Sequence, residues 1–452
     1  MASASEQLAA NMNLGVFAKA KELQQRLLFT LFILVVYRIG TYVPVPGVNL
    51  DQIAAMMNQG GLGDRLNLFS GGAVERMAIF ALNVMPYISA SIIMTLMKGS
   101  IGSLKELDKD GEQGRKQINQ YTRYLTVFLA AFQAYGVSRF IESSGAAISP
   151  GAFFQASTVI TLVGGTMFLM WLGEQVTARG VGNGVSLIIF AGIVAELPKA
   201  IFQAFSLNQR GTVSELLLVF LIVLFVGLSM LIVYVERAQR RLLVQYPKRQ
   251  MAGGKSFGGE SSFMPLKLNT AGVIPPIFAS SLLLLPATLG PIMMGNGAGT
   301  TGSGIGGTIL ALLAYGSPVY LTLYAILIIF FCYFYVPYVF KPEDVADNLR
   351  KNGGFLPGIR PGKRTEEYLS YVLSRLTFIG AVYVAFVCVL PELIIARQGG
   401  AIPPSVAMLI GGMSLLIIVS VTLDTVAQIQ SHLIAHQYEG LIKKSRMRRR
   451  NR

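Results

Sequence analysis

The chain has 452 residues, of which 53% are hydrophobic and only 13% charged, and its mean hydropathy is +0.55. A soluble domain carries about 25% charged residues, so the composition excludes an ordinary soluble protein and points to an all-α polytopic membrane protein. The net charge of +15 admits nucleic acid, an acidic partner or a membrane-orientation signal, and its placement along the chain decides between them.

Residues 1–26 are polar and read as an amphipathic cytoplasmic surface helix with no cleaved signal peptide. Ten apolar segments follow that are long enough to span a bilayer. They lie near 27–46, 76–97, 121–141, 155–173, 183–203, 215–235, 271–292, 318–339, 371–392 and 406–430. With the N-terminus placed in the cytoplasm, the loops on that side hold 29 Lys and Arg, and the opposite side holds 3. This asymmetry puts both termini inside. The basic character is therefore topological, and direct DNA binding is not expected. The spans divide into two sets of five, joined by an outer loop near 204–214 and followed by a basic cytoplasmic tail at 431–452. Transport folds are often built from two such halves.

The stretch Phe69–Leu96 is unusual for a spanning helix. Gly71 and Gly72 are adjacent, Glu75 and Arg76 follow, and Pro86 interrupts the remainder. Upstream, Leu62–Ser70 is apolar but too short to cross. A short apolar piece, a glycine break and then a full span suggest a re-entrant element. Non-helical backbone at membrane depth survives only inside protein or beside a water-filled cavity, so the stretch suggests a pore or substrate path. The inner loops 236–270 and 340–370 are long and charged, and they read as a docking surface or as lipid head-group contact.

Signals for enzymes are weak, and neither a cofactor nor a metal is expected. His432 and His436 have i,i+4 spacing but lack a convincing set of further ligands. Gly254-Lys255-Ser256 resembles the end of a phosphate loop, but Arg249 stands where its first glycine belongs. Ser89, Ser91 and Ser186 have no histidine to activate them. Cys332 and Cys388 sit in apolar runs and read as packing residues. Arg38, Glu174 and Asp424 are the conspicuous ionisable groups near the spans. Asp424 keeps open the alternative of an ion-coupled secondary transporter for a small solute.

Several strings together carry a family resemblance. They are RIGTYVPVPGV (38–48), FSGGAVERMAIFALNVMPYISASII (69–93), GRKQINQYTRY (114–124) and GTMFLMWLGEQVTARGVGNGVSLIIFAGIV (165–194). YVERAQRR (234–241), PLKLNTAGVIPPIFASS (265–281) and FCYFYVPYVFKPEDVADNLRKNGGFLPGIRPGKRTEEYL (331–369) complete the set. The chain resembles the SecY family, the large subunit of the bacterial protein-conducting channel, from about residue 20 to 443.

The resemblance implies two pseudo-symmetric five-helix halves, 27–203 and 215–430, hinged at the outer loop 204–214 around a central pore, with a lateral gate to lipid. It implies a re-entrant plug helix with its hinge at Asp64, Leu66, Asn67, Phe69, Ser70, Gly71 and Gly72. It implies a pore ring of Val84, Ile88, Val185, Ile189, Ile277 and Ile417, with Val at two positions where Ile is common. Val84/Ile88 and Val185/Ile189 are i,i+4 pairs, so each pair shares a helix face. Motor or ribosome docking is implied for Arg240, Arg241, Lys248, Arg249 and Arg360, and polar lateral-gate contacts for Gln133 and Asn269. The implied partners are the SecE and SecG subunits, the SecA motor ATPase, the ribosome, unfolded preproteins and their signal sequences, and membrane lipids, with SecDF and YidC as further associates. The implied location is the bacterial inner membrane.

Overall fold

The computed structural model describes residues 20–57, 70–209, 215–246, 249–250, 256–257, 261–293, 317–397 and 411–450. The chain divides into two compact units, Met1–Ala200 with Val421–Arg452, and Ile201–Ser420. The final part of the last helix thus groups with the N-terminal unit.

In the first unit the helices are α1 (Lys21–Gly40), α2 (Leu50–Met57), α3 (Met85–Ser100), α4 (Gly102–Lys109), α5 (Glu112–Ser143), α6 (Ala152–Arg179) and most of α7 (Gly184–Gln209). Helix α3 packs on α5, α5 on α6, and α1 on α6. The long antiparallel pair α5–α6 is tied by Arg123. Its Nε donates to Glu174 Oε1 at 3.2 Å, and its Nη2 donates to Glu174 Oε2 at 2.6 Å. The two-pronged geometry is one that lysine cannot reproduce.

The second unit contains α8 (Glu215–Arg237), strands β1 (Gln239–Gln245), β2 (Arg249–Gln250), β3 (Ser256–Phe257) and β4 (Ser261–Lys267), then α9 (Ile274–Met293), α10 (Pro318–Val339), α11 (Pro342–Lys351) and α12 (Lys363–Arg397). Helix α13 (Gly412–Arg450) runs from this unit into the first. Helix α10 packs between α9 and α12, and α11 packs on α12. The start of α10 is set by its sequence: Ser317 Oγ accepts from Tyr320 N at 3.1 Å, and Pro318 occupies the first turn, where no amide donor is needed. Cys332 and Cys388 are buried free thiols, as the apolar runs predict.

Eight helices among the described residues are long and apolar enough to cross a membrane. Their outward surfaces require lipid. Helix α8 buries Leu221, Leu228 and Ile232 but leaves Leu216 82%, Val223 63% and Met230 68% exposed. In water such a surface would drive association.

One expectation is corrected. The second span, expected from 76 to 97, is helical only from Met85 to Ser100, and the preceding residues are turns. Pro86 sits in the first helical turn, and Met77 (φ 39°) and Asn83 (φ 48°) adopt left-handed backbone. Left-handed backbone interrupts a right-handed helix, and it is a strained conformation for Met, though Asn adopts it more readily. Sixteen residues give about 24 Å of helix, short of the ~30 Å hydrocarbon core.

The long inner loops carry structure of their own among the described residues. They form one folded platform. Strands β1 and β4 pair antiparallel, from Gln239 opposite Lys267 to Gln245 opposite Ser261. Gln245 and Phe355 then exchange two backbone hydrogen bonds of 2.9 Å, which ties the hairpin to the second loop. Leu242, Val244, Leu266, Leu356, Leu369, Val372 and Leu376 close a shared apolar core. Leu369 is fully buried there, so Leu369→Ala should destabilise the platform by about 2–5 kcal/mol. Earlier proteolysis of this region, with the apolar helices left intact, would register the loss.

Candidate functional site

The segment Gly71–Val84 is not helical, yet several of its backbone polar groups find partners inside the protein. Ile79 N donates to Val43 O at 2.9 Å, and Val45 N donates to Met77 O at 2.8 Å. Tyr37 OH donates to Ser70 O at 3.2 Å, and Arg38 Nη1 donates to Gly71 O at 2.7 Å. Irregular backbone at membrane depth requires such satisfaction.

Glycines let neighbouring backbones come this close. A Cβ on Gly71 would lie 2.9 Å from Gly192 Cα, and one on Gly165 would lie 2.1 Å from Ile79 O. The segment is thus wedged among α1, α6 and α7. Beside it, Lys199 Nζ sits 2.7 Å from Glu75 Oε2 and 4.0 Å from the buried Glu196. The Arg76 guanidinium stacks 4.3 Å over the Tyr42 ring.

The wedge ends on two of the expected ring residues. Ile88 N donates to Val84 O at 3.0 Å, so this i,i+4 pair occupies the first turn of α3. Val84 is 1% and Ile88 7% exposed. The second pair opens α7, where Ile189 is buried and Val185 half-buried. In the second unit Ile417 is buried in α13 and Ile277 half-buried in α9. All six are apolar, and none lies on an exposed surface.

The turn before α7 is closed by side chains. Thr30 Oγ1 accepts from Val181 N at 3.1 Å, Gln428 Oε1 from Gly182 N at 2.8 Å and Thr177 Oγ1 from Gly184 N at 2.9 Å. Asn183 Oδ1 accepts from Val185 N at 3.1 Å and Ser186 N at 3.3 Å. Gly182 takes φ +91°, and a Cβ on Gly184 would lie 1.9 Å from Gly173 O. Sequence reasoning missed Thr30, Thr177, Asn183, Gln428 and Glu196. Only Asn183, between two glycines ahead of an apolar run, carried a visible cap signal.

The remaining expected residues fall as follows. Asp64, Leu66, Asn67, Phe69 and Lys248 lie outside the described residues. Ser70, Gly71 and Gly72 are buried, with φ +64° and +83° at the two glycines. Arg240 and Arg241 are exposed on β1, Arg249 lies on β2, and Arg360 is exposed on the loop before α12. Thr365 Oγ1 donates to Arg360 O at 3.0 Å and fixes that loop's backbone. Gln133 is half-buried on α5. Asn269 is occupied locally: its amide donates to Glu236 Oε1 at 2.7 Å and Gly272 O at 3.2 Å, and its Oδ1 accepts from Gly272 N at 3.1 Å. It locks the turn into α9. No group of three or more potential metal ligands occurs among the described residues.

Long lipid-facing helices, an internally satisfied break and a platform outside the apolar spans define a polytopic membrane protein of the transport class. A family model described as SecY matches residues 78–426. "Protein translocase subunit SecY" of Rickettsia conorii is 49% identical over 435 residues, covering 94% of this chain and 97% of that one. The protein of the same name from Escherichia coli is 46% identical over 433 residues, covering 94% and 95%. Among solved structures, "The structure of a protein conducting channel" matches with a TM-score of 0.64 at 19% identity, covering 91% and 92%. "Sec61 in the Canine ribosome-channel complex from the endoplasmic reticulum" matches with 0.60 at 20%, covering 91% and 92%. The chain belongs to the SecY family.

Proposed function

We propose that this protein is the channel-forming subunit of a protein translocase. It passes unfolded secretory chains across the bacterial inner membrane and releases apolar segments sideways into lipid, with both termini cytoplasmic. The observation that carries this function is the wedged, non-helical Gly71–Val84 segment. It delivers the apolar pair Val84/Ile88 at the head of a shortened helix.

Apolar side chains offer no substitute for an ion's hydration shell, so a ring of Val and Ile opposes leakage by desolvation. An extended polypeptide can still push through, because no residue-specific bond must form. Release into lipid sorts on transfer free energy, since about 20 apolar residues partition favourably and polar stretches do not. The protein supplies no chemical step. Energy comes from a motor of the SecA kind, from translation or from the membrane potential, and SecE- and SecG-like subunits complete the channel. The transporter alternative needs a polar midplane site. The break buries Val74, Met77, Phe80 and Val84 beside the polar Asn83 and Glu196, and the relatives at 46–49% identity carry the name of a protein translocase subunit, not of a solute transporter.

The platform is the docking surface. Arg240, Arg241 and Arg360 are held on one folded body, so their spacing is preorganised for a partner's carboxylates or phosphates. Arg360→Glu should cut motor-driven transfer of a preprotein into reconstituted vesicles about tenfold or more. The amount of folded channel should stay at the parent level. Undiminished ATP-dependent transfer would remove Arg360 from the docking surface. Failure of the parent channel to pass any preprotein with SecE- and SecA-like partners would overturn the function itself.

A further inference from the structure

Helix α1 carries no expected ring, plug or docking residue, yet it touches both chain segments that bring ring residues from the first unit. Thr30, 8% exposed, holds the turn before α7 by accepting from Val181 N at 3.1 Å. The same hydroxyl donates to Arg26 O at 2.9 Å, which fixes its orientation. Tyr37, 1% exposed, donates to Ser70 O at 3.2 Å. Its ring stacks on Phe80, with centroids 6.2 Å apart and planes 11° apart. Phe80 in turn sits against Gly40, where a Cβ would come within 1.9 Å of the ring. Thr30 and Tyr37 are seven residues apart, which places them on one helix face about 10 Å apart along the axis.

We propose that α1 is a positioning strut: Thr30 sets the level of Val185 and Ile189, and Tyr37 sets the level of Val84 and Ile88. This rests on the ring function given above. Neither residue touches the translocating chain. Each acts on a non-helical segment, Tyr37 alongside the bonds from Val43 and Val45, and Thr30 alongside those from Thr177 and Gln428. An apolar seal depends on its members meeting at one level, because a displaced collar admits water.

The test uses the reconstituted channel with its copurifying subunits in lipid vesicles, and reads resting chloride efflux. Thr30→Val keeps the shape but orphans the Val181 amide. Tyr37→Phe keeps the ring stack but loses the hydroxyl. Each should raise efflux about five- to tenfold, the population change that one lost buried hydrogen bond allows. Thr30→Ser, which keeps the acceptor, should stay near the parent. The amount of folded protein and its thermal midpoint should change little.

Parent-level efflux in both variants, with Ile189→Asn leaking, would overturn the strut alone. Equal leakage from Thr30→Ser and Thr30→Val would do the same, as would leakage only in step with lost folded protein. An Ile189→Asn channel that holds chloride would overturn the ring, and the strut with it.

Discussion

Ile189→Asn should raise resting ion leakage more than tenfold, and Ile88→Asn should do so to a similar degree. Both side chains are buried, at 4% and 7% exposure, on helices that open with an apolar i,i+4 pair. An amide at this level gives water two donors and an acceptor to hold on to. Part of the desolvation barrier, several kcal/mol for a polar or charged group in apolar surroundings, is thereby removed. Chloride efflux from vesicles measures the effect. Ile189→Leu separates polarity from shape, since it keeps apolar volume and should remain near the parent. Equal leakage from Leu and Asn would make shape, and not dryness, the basis of the seal.

The largest effect on stability is expected at Gly184. A Cβ there would lie 1.9 Å from Gly173 O and 2.7 Å from Gly173 C, so α6 and α7 would have to part. Backbone cannot yield as a side chain does. Overpacking alone costs about 1–3 kcal/mol. Moving α7 would also strain the acceptors that Thr30, Thr177 and Gln428 offer to the turn. Gly184→Ala should therefore lower the thermal midpoint strongly or abolish accumulation of the protein. Gly227→Ala is the contrast, because nothing lies within 4 Å of its added methyl and helix propensity favours alanine. It should be neutral or slightly stabilising.

Much of the architecture could be read from the residues. The apolar runs at 155–173 and 318–339 fall inside α6 and α10, because length and hydropathy dominate where no other force competes. The run at 76–97 misled for the opposite reason. Its composition suits a span, but Met77 and Asn83 take left-handed backbone, and residues 43–45 supply hydrogen bonds from a distant part of the chain. Hydropathy does not register such pairing. The hairpin escaped notice because β1, QRRLLVQ, offers only two inward positions, Leu242 and Val244, and its core comes mainly from residues about a hundred positions later. Ring candidates came from family resemblance; the burial of Val84, Ile88, Ile189 and Ile417 is a property of the fold. Thr30 and Gln428 were invisible, since a threonine or glutamine in a helix has no pattern that names the amide it will cap.

The length of α12 carries one further consequence. Its 35 residues make a rod of about 52 Å, while the hydrocarbon core is only ~30 Å thick. Leu369, Val372 and Leu376, at one end of that rod, are buried in the platform core. The only proline within it, Pro391, lies near the other end. Between them there is no joint to absorb displacement. Under the docking role proposed for Arg360, a load taken up there would have a continuous path through the platform core into the transmembrane part of α12.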